Sequence, residues 1–362
     1  MCVEILKCVL RHYWYCTSTS TRSVSAHDLL MMWGPVAGVV IASILMWHFP
    51  DDSSKSIKAT PTFCPAGRGS ENLSTTTSAE TLTIATINAE WLFDGVNDAH
   101  RSFETADAHI ENIGKWMAHL KTDVLNVVEL EDCRVLERVS KWMAPEGDIR
   151  FYVGPSADTA TKQTIGVVSR VSLLSPGIMF DGTTRASYPQ ARSSCGYSSS
   201  KTKTSGVSKH WYGVVNTKQV GEILFVGTHL KAFPNQPKSC SKREAQARVL
   251  VDIIQKHGSE KGRHVVLFGD LNDFDSDHLD VSENEPTSNV LSTLKSELSL
   301  TNVWKFVKKE ARWSWKGAGF KDSALDHILI SNSLVTYVES VWVDRNESFS
   351  DHRPLVVRFR WS

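Results

Sequence analysis

The sequence predicts a mixed α/β domain, and three observations predict it. Strand-like and helix-like stretches alternate from Thr81 to the C-terminus, no second linker interrupts them, and hydrophobic residues make up 41% of the 362, enough to bury a sizeable core. Lys plus Arg and Asp plus Glu both number 40, so no global field of either sign recruits nucleic acid or an anionic membrane. Any polyanion must be gripped by local charge and metal.

Four segments follow one another along the chain: residues 1–28, an apolar stretch at 29–49, a Ser/Thr-rich stem at 50–80, and the domain at 81–362. Leu29 to Phe49 contains no Asp, Glu, Lys or Arg over 21 residues. As a helix rising about 1.5 Å per residue it just spans a hydrocarbon core of roughly 30 Å. Trp33 and Trp47 lie near its ends, where interfacial anchors belong. Lys7, Arg11 and Arg22 precede it while Asp51 and Asp52 follow it. That bias favours a signal anchor with a cytosolic tail and an extracytoplasmic bulk, lumenal or extracellular; a cleaved leader starting at Met31 or Met32, giving a secreted protein, is the alternative. Asn72-Leu73-Ser74 and Asn346-Glu347-Ser348 are glycosylation sequons consistent with either route.

Within the domain, strands are expected at Thr81–Asn88, Asp123–Val128, Phe151–Gly154, Thr164–Ser169, Trp211–Asn216, Ile223–Thr228 and Val265–Gly269. Three more are expected at Ala324–Ile330, Val335–Val343 and Leu355–Phe359. The 3.6-residue period predicts helices at Glu104–Leu120, Glu131–Met143, Lys242–His257 and Thr287–Leu298. Ser193 to Lys209 reads as a loop rich in Ser, Thr, Gly and Lys, long enough for a functional excursion. Of the seven cysteines, Cys64, Cys133, Cys195 and Cys240 lie beyond the apolar stretch and contain no CxxC unit, so a zinc site is not expected. Cys195 and Cys240 both fall in loops rich in small and polar residues and are expected to pair, the alternative being two free thiols.

Chemistry concentrates where strands end. Val265 to Phe274 reads VVLFGDLNDF: an apolar run stops at Gly269 and delivers Asp270 and Asn272, two residues apart and able to face the same side. A carboxylate beside a carboxamide suits a metal-bound phosphate; the bland alternative is an Asx turn. Five further strand ends deliver acids, amides or histidines: IATINAEW carries Asn88 and Glu90, DVLNVVELE carries Glu129, FVGTHLK carries His229, ALDHILIS carries Asp326 and His327, and SDHRP carries Asp351 and His352. One such motif is an ordinary turn or helix start; six in one domain are less easily explained that way.

In this order, TIN-x-E, a carboxylate after the second strand, THLK, GDLND, LDHIL and SDHRP resemble the endonuclease/exonuclease/phosphatase superfamily. That group includes deoxyribonuclease I-like nucleases, apurinic endonucleases, neutral sphingomyelinases and inositol polyphosphate 5-phosphatases. The resemblance runs from Thr81 to the C-terminus. It implies a four-layer sandwich of two mixed β-sheets flanked by helices, with the site at one end. Carried over position by position, it makes Glu129 the principal metal carboxylate, supported by Glu90 and Asp351, with Mg2+ the expected ion and Mn2+ a substitute. Asn88 and Asn272 would hold phosphate oxygens and orient Asp270. His352 matches the catalytic histidine and Asp326 its carboxylate partner, while His229 matches the second histidine of the nuclease and sphingomyelinase branches. The implied reaction is in-line attack of water on phosphorus, with His352 or Asp270 as base and His229 at the departing oxygen. Histidine is the expected base near neutral pH, because an unperturbed Asp at about 3.9 is too weak without strong desolvation.

The chain departs from the pattern at Val128, where a Gln usually precedes the metal Glu, and at Ile87, where a Trp often precedes the first Asn. Three functions remain open. A metal-dependent nuclease acting on DNA or RNA is favoured by overall resemblance to bacterial secreted nucleases of this superfamily, while LDHIL lacks the PAWCDR-like signature of inositol phosphatases, which counts against phosphoinositide specificity. Lys201, Lys203, Lys209, His210, Lys231, Lys238, Lys242 and Arg243 offer a basic rim for a phosphodiester backbone, unless they are an ordinary solvated loop. A sphingomyelinase-type phospholipid phosphodiesterase would share the catalytic residues and suit a membrane anchor. A catalytically inactive binding ectodomain is the third, and the presence of Glu129, Asp270, Asn272, Asp326 and His352 weighs against it. No protein partner is implied.

Overall fold

Strand-forming runs in this chain alternate apolar residues toward two different cores, and the computed structural model shows where each face goes. It describes residues 76–361 apart from 78, 97–100, 144–148, 157, 159–160, 190–193 and 197–201. The apolar stretch 29–49, the rest of the N-terminal 75 residues, Cys64 and Asn72 lie outside the described residues. Among the described residues no helix is long and apolar enough to cross a membrane.

The first part of the described chain contains strands β1 (Thr76–Thr77) and β2 (Thr81–Leu92), helix α1 (Phe103–Leu120), strand β3 (Val124–Leu130) and helix α2 (Cys133–Met143). Strands β4 (Arg150–Gly154), β5 (Thr164–Ser169), β6 (Leu173–Met179), β7 (Ala186–Ser187) and β8 (Thr204–Ser205) follow. Then come β9 (His210–Thr217), β10 (Gly221–His229), helix α3 (Pro237–His257), β11 (His264–Asp270) and helix α4 (Val290–Leu298). Strands β12 (Leu300–Asn302), β13 (Asp326–Ser331), β14 (Val338–Val343) and β15 (Leu355–Arg360) complete the order.

One sheet runs β1-β9-β10-β11-β13-β12, with β6 also paired to β9; the other runs β14-β15-β2-β3-β5-β4. Both are mixed: β2 with β3 and β10 with β11 are parallel, while β11 with β13 and β15 with β2 are antiparallel. The period-2 alternation decides the layers. Leu82 and Ile84 of β2 enter the core between the sheets with Phe225, Phe268, Ile328 and Val357. Ala85, Ile87 and Ala89 of the same strand face α1 and α2 through Ile113, Trp116 and Leu136. On the far side, Leu224 and Leu267 pack under α3 and α4 through Leu250, Ile254 and Leu294. Helices, sheet, sheet and helices therefore form the four layers.

The local chemistry corrects several expected boundaries. Helix α3 begins at Pro237 rather than Lys242, because proline suits the first helical position, where no N–H is needed. Cys240 therefore sits in its first turn and not in a loop. Helix α4 begins at Val290 rather than Thr287: Thr287 Oγ1 donates to the Pro234 carbonyl and Ser288 Oγ to Asp273 instead. The expected strand Val335–Val343 opens as a 3₁₀ turn, Asn332–Tyr337, before β14. Strand β6 was not expected at all, since LLSPGIM carries a Pro-Gly pair; its register with β9 shifts between Leu173 and Ile178 to accommodate it. At Gly269 (φ 149) a Cβ would come within 1.8 Å of the Thr228 carbonyl oxygen, so only glycine lets β11 lie against β10 where the site begins.

Candidate active site

The register of β2 with β3 runs from Ile84↔Val124 to Asn88↔Val128 and resumes only at Leu92↔Leu130. Glu90 (φ 48), Trp91 (φ 51) and Glu129 (φ 62) occupy the break with left-handed backbone. The strands expected to end at Asn88 and Val128 thus continue through bulges that turn both glutamates. Such backbone costs on the order of 1–3 kcal/mol per residue and persists only when neighbours enforce it. Here Asn88 Oδ1 accepts from the Glu90 N–H at 3.0 Å, and Glu129 Oε2 accepts from the Trp91 N–H at 3.2 Å. Arg101 Nη1 donates to the carbonyls of Glu90 and Trp91 at 2.7 and 2.8 Å.

Asn88, 2% exposed, joins the two sheets: its Nδ2 donates to Glu129 Oε1 at 3.0 Å and to Asp270 Oδ2 at 3.1 Å. Asp270, the last residue of β11, spends its other oxygen on the Asn272 N–H at 2.9 Å. The Asx turn and the site reading are therefore both true, one oxygen for each. Asn272 Nδ2 points to the Leu230 carbonyl at 3.4 Å. Opposite, the segment before β15 supplies the rest: Ser350 Oγ donates to the Asn88 carbonyl at 2.8 Å, and the Asp351 N–H donates to Glu90 Oε2 at 3.1 Å. The Trp315 indole donates to Asp351 Oδ2 at 2.8 Å.

A buried acid–base cluster lies at the inner end. His352 Nδ1 is 2.6 Å from Asp326 Oδ2, and the Nε2 atoms of His352 and His229 stand 3.9 and 3.8 Å from Asp270 Oδ2. Burial, which alone would lower His352, is outweighed by the charge and hydrogen bond of Asp326 and by Asp270 and Asp351, raising it to about 10. Asp270 is pushed up to about 7 by burial and by the charge of Asp326. His229 falls well below the usual histidine range through burial and the nearby charges of Lys209 and His352, so it is neutral. Its Nδ1 and Asp326 Oδ1 are buried without a hydrogen-bond partner among the described residues. His327, by contrast, is structural, held between Asn302 Nδ2 and the Asp273 carbonyl.

The outer end is built of half-buried carboxylates: Glu90, Glu129 and Asp351. Burial and repulsion from Asp351 raise Glu90 above its ordinary value, with Glu129 adding to the effect. A divalent cation would relieve this crowding, and an all-oxygen set open to water is the donor chemistry magnesium or manganese takes. Among the described residues, the potential ligand atoms that lie within 4.8 Å of one another are those of Asp270, Asp326 and His352, and those of Cys195, Cys240 and Glu244, where the two sulfurs are already joined in a disulfide. The three outer carboxylates are spread wider than that, Glu90 being drawn by Arg101 and Asp351 by Trp315.

The basic rim needs correction. Lys209 is 8% exposed and pairs with Asp158 and Gln163, His210 is buried and held neutral at about 4 by desolvation, and Arg243 is fully buried on Asp273. Lys203, Lys231 and Lys238 are exposed, Lys242 is half-buried, and Lys201 lies outside the described residues. The Ser193–Lys209 excursion is tied down at both ends, by a Cys195–Cys240 disulfide and by the Lys209 carbonyl, which accepts from the His229 N–H at 3.0 Å. Asn346 is exposed. Arg101, Trp315 and Ser350 were not singled out from sequence; Ser350 alone had a signal, lying inside the SDHRP motif.

No protein-family model matches the chain, and no curated protein matches its sequence. Solved structures do resemble it. An endonuclease/exonuclease/phosphatase from Beutenbergia cavernae DSM 12333 is 18% identical with a TM-score of 0.52, covering 78% of this chain and 72% of that one. TDP2 of D. rerio, complexed with single strand DNA product, is 16% identical with a TM-score of 0.52, covering 78% of this chain and 100% of that one. The 3′ phosphatase NExo from Neisseria, bound to product DNA hairpin, is 16% identical with a TM-score of 0.50, covering 77% of this chain and 100% of that one. At these identities the likeness is one of fold.

Proposed function

We propose that this chain, which has the endonuclease/exonuclease/phosphatase fold, hydrolyses phosphodiester bonds with a divalent metal and takes nucleic acid as substrate outside the cytosol. The observation that carries the reading is the juxtaposition of an open carboxylate end, Glu90, Glu129 and Asp351, with the buried cluster of Asp270, Asp326, His229 and His352. Asn88 spans the two. The DNA products bound to the TDP2 and NExo neighbours support a nucleic-acid substrate for this one.

Glu129, Glu90 and Asp351 would hold magnesium, which when bound supplies charge neutralisation for phosphate oxygens. Asn88 donates toward the same oxygens. The proton chemistry reverses the sequence expectation. His352, held protonated by Asp326, is no base near neutral pH, and its imidazolium instead stabilises charge on phosphorus oxygens. Asp270 has the strong desolvation that a carboxylate base requires, so it takes the proton from attacking water as the new P–O bond forms. His229, neutral, donates a hydrogen bond to the leaving oxygen as its bond to phosphorus breaks, and that oxygen departs after taking a proton from solvent.

The test is a panel of plasmid DNA, RNA and sphingomyelin, assayed with the purified full-length protein and magnesium, with a chelator control. Nucleic acid is cleaved and the chelator abolishes cleavage. Cleavage of sphingomyelin alone would replace the substrate, and no cleavage of any with magnesium or manganese would favour a binding ectodomain. The extracytoplasmic placement rests on the uncharged 29–49 segment and the exposed Asn346 sequon. Expressed in a eukaryotic cell, the protein carries a glycosidase-sensitive mass that Asn346→Gln reduces; no such mass on the wild type would count against this placement.

A further inference from the structure

The parallel ladder of β10 and β11 ends at His229↔Asp270, the pair whose side chains face each other in the cluster. Beyond it the two chains run through irregular backbone, with Phe233 at φ 71 and Asn272 at φ 50. Arg243, in the second turn of α3, lies between them with no exposed surface. Its Nε donates to Asp273 Oδ2 at 2.9 Å, its Nη1 to the carbonyls of Lys231 and Phe233 at 3.1 Å each, and its Nη2 to the Pro234 carbonyl at 2.8 Å. Asp273 is 1% exposed and also accepts from Ser288 Oγ and the Phe274 N–H. One turn along the helix, Gln246 Oε1 accepts from the Lys231 N–H at 3.0 Å. The disulfide at Cys240 fastens the same helix one turn earlier.

Stability alone gives little reason for this arrangement, because two buried ions lose their hydration and an apolar pair of similar volume often serves as well. What the ion pair does is geometric. One side grips the segment that follows His229, and the other grips the acid three residues after Asp270. Leu230 is the link to the site: its N–H donates to the Asp270 carbonyl at 3.0 Å, and its own carbonyl accepts from Asn272 Nδ2 at 3.4 Å.

We propose that Arg243 and Asp273 form a clasp that sets the spacing of His229 and Asp270, and that both are positioning residues for the phosphodiesterase site. The proposal rests on the reading of that site given above. A shift of about 1 Å in such groups lowers turnover on the order of 10²-fold without loss of binding.

The test compares the wild type with Arg243→Met/Asp273→Leu and with Arg243→Lys. The double variant removes both charges together, so no buried ion is left unpaired, but the freed carbonyls lose their donor and it melts below the wild type while staying folded. Its kcat falls on the order of 10²-fold with KM little changed, and the Leu230 amide exchanges with solvent roughly tenfold or more faster. Arg243→Lys keeps the charge but cannot reach three carbonyls, and shows the same changes in weaker form; it serves if the double variant fails to fold. Wild-type kcat together with wild-type Leu230 protection in either folded variant would overturn the clasp. Amide exchange needs no substrate, so a wild type that cleaves nothing sinks the phosphodiesterase reading, while Leu230 protection still decides the clasp.

Discussion

Replacing Glu129 by alanine lowers kcat for magnesium-supported phosphodiester cleavage by about 10³-fold or more, while the protein stays folded. The magnitude follows from what a metal carboxylate supports: several kcal/mol of charge stabilisation at phosphorus, each 1.36 kcal/mol being about tenfold in rate. Glu129 sits on a bulge at the sheet margin, half-buried, and its loss removes an acceptor from Asn88 and from the Trp91 N–H rather than core packing. Glu129→Gln keeps the shape and one acceptor and is expected to lose nearly as much activity. Steady-state kinetics with a thermal melt for each variant make the comparison. Full activity in either variant would remove Glu129 from the metal site.

The second large effect concerns Asp270 and pH. With its carboxyl pushed up to about 7, the base is protonated below that value and free above it, so kcat of the wild type falls as pH is lowered through about 7. Asp270→Asn cannot take the proton; its rate drops by about 10²–10⁴-fold and the acid limb disappears. His352→Gln distinguishes the alternatives. If histidine were the base, that variant would lose the limb while Asp270→Asn kept it, and the assignment made here would be wrong.

Much of this site was readable because its residues sit where strands stop, and strand ends are visible as apolar runs giving way to polar letters. Asp270 and His229 end their strands, Asp326 and His352 stand at or just before the start of theirs, and the structure brings all four together. The two sheets were implied by the resemblance that these motifs carry, and the alternation within β2 shows which of its faces meets which layer. The glutamates were found for a reason that is only half right. Glu90 and Glu129 lie inside strands that continue to Leu92 and Leu130, and nothing in propensity marks a glutamate for left-handed backbone. The hydrogen bonds from Arg101 and between the neighbouring bulges enforce it, and those partners are distant in sequence or outside any motif.

Burial misled the charge reading. Lys209 and Arg243 look like surface cations in a Ser/Lys-rich stretch, yet their partners, Asp158 and Asp273, come from other loops. The proposed base differs from the expected histidine for a related reason. A carboxylate's strength depends on desolvation and on its neighbours' charges, and neither is a property of the letters around Asp270.

The paired bulges of β2 and β3 bear on how such a protein can lose its chemistry. The register resumes beyond the interruption at Leu92↔Leu130, and Ala89 within it still packs on the helices, so the core depends little on Glu90 and Glu129 themselves. A lineage that trimmed the bulges back to regular pairing would shed Glu90 and Glu129 together and leave Asp351 behind. Retention of that irregular backbone, more than retention of the fold, is therefore the mark by which an active descendant could be told from an inert one.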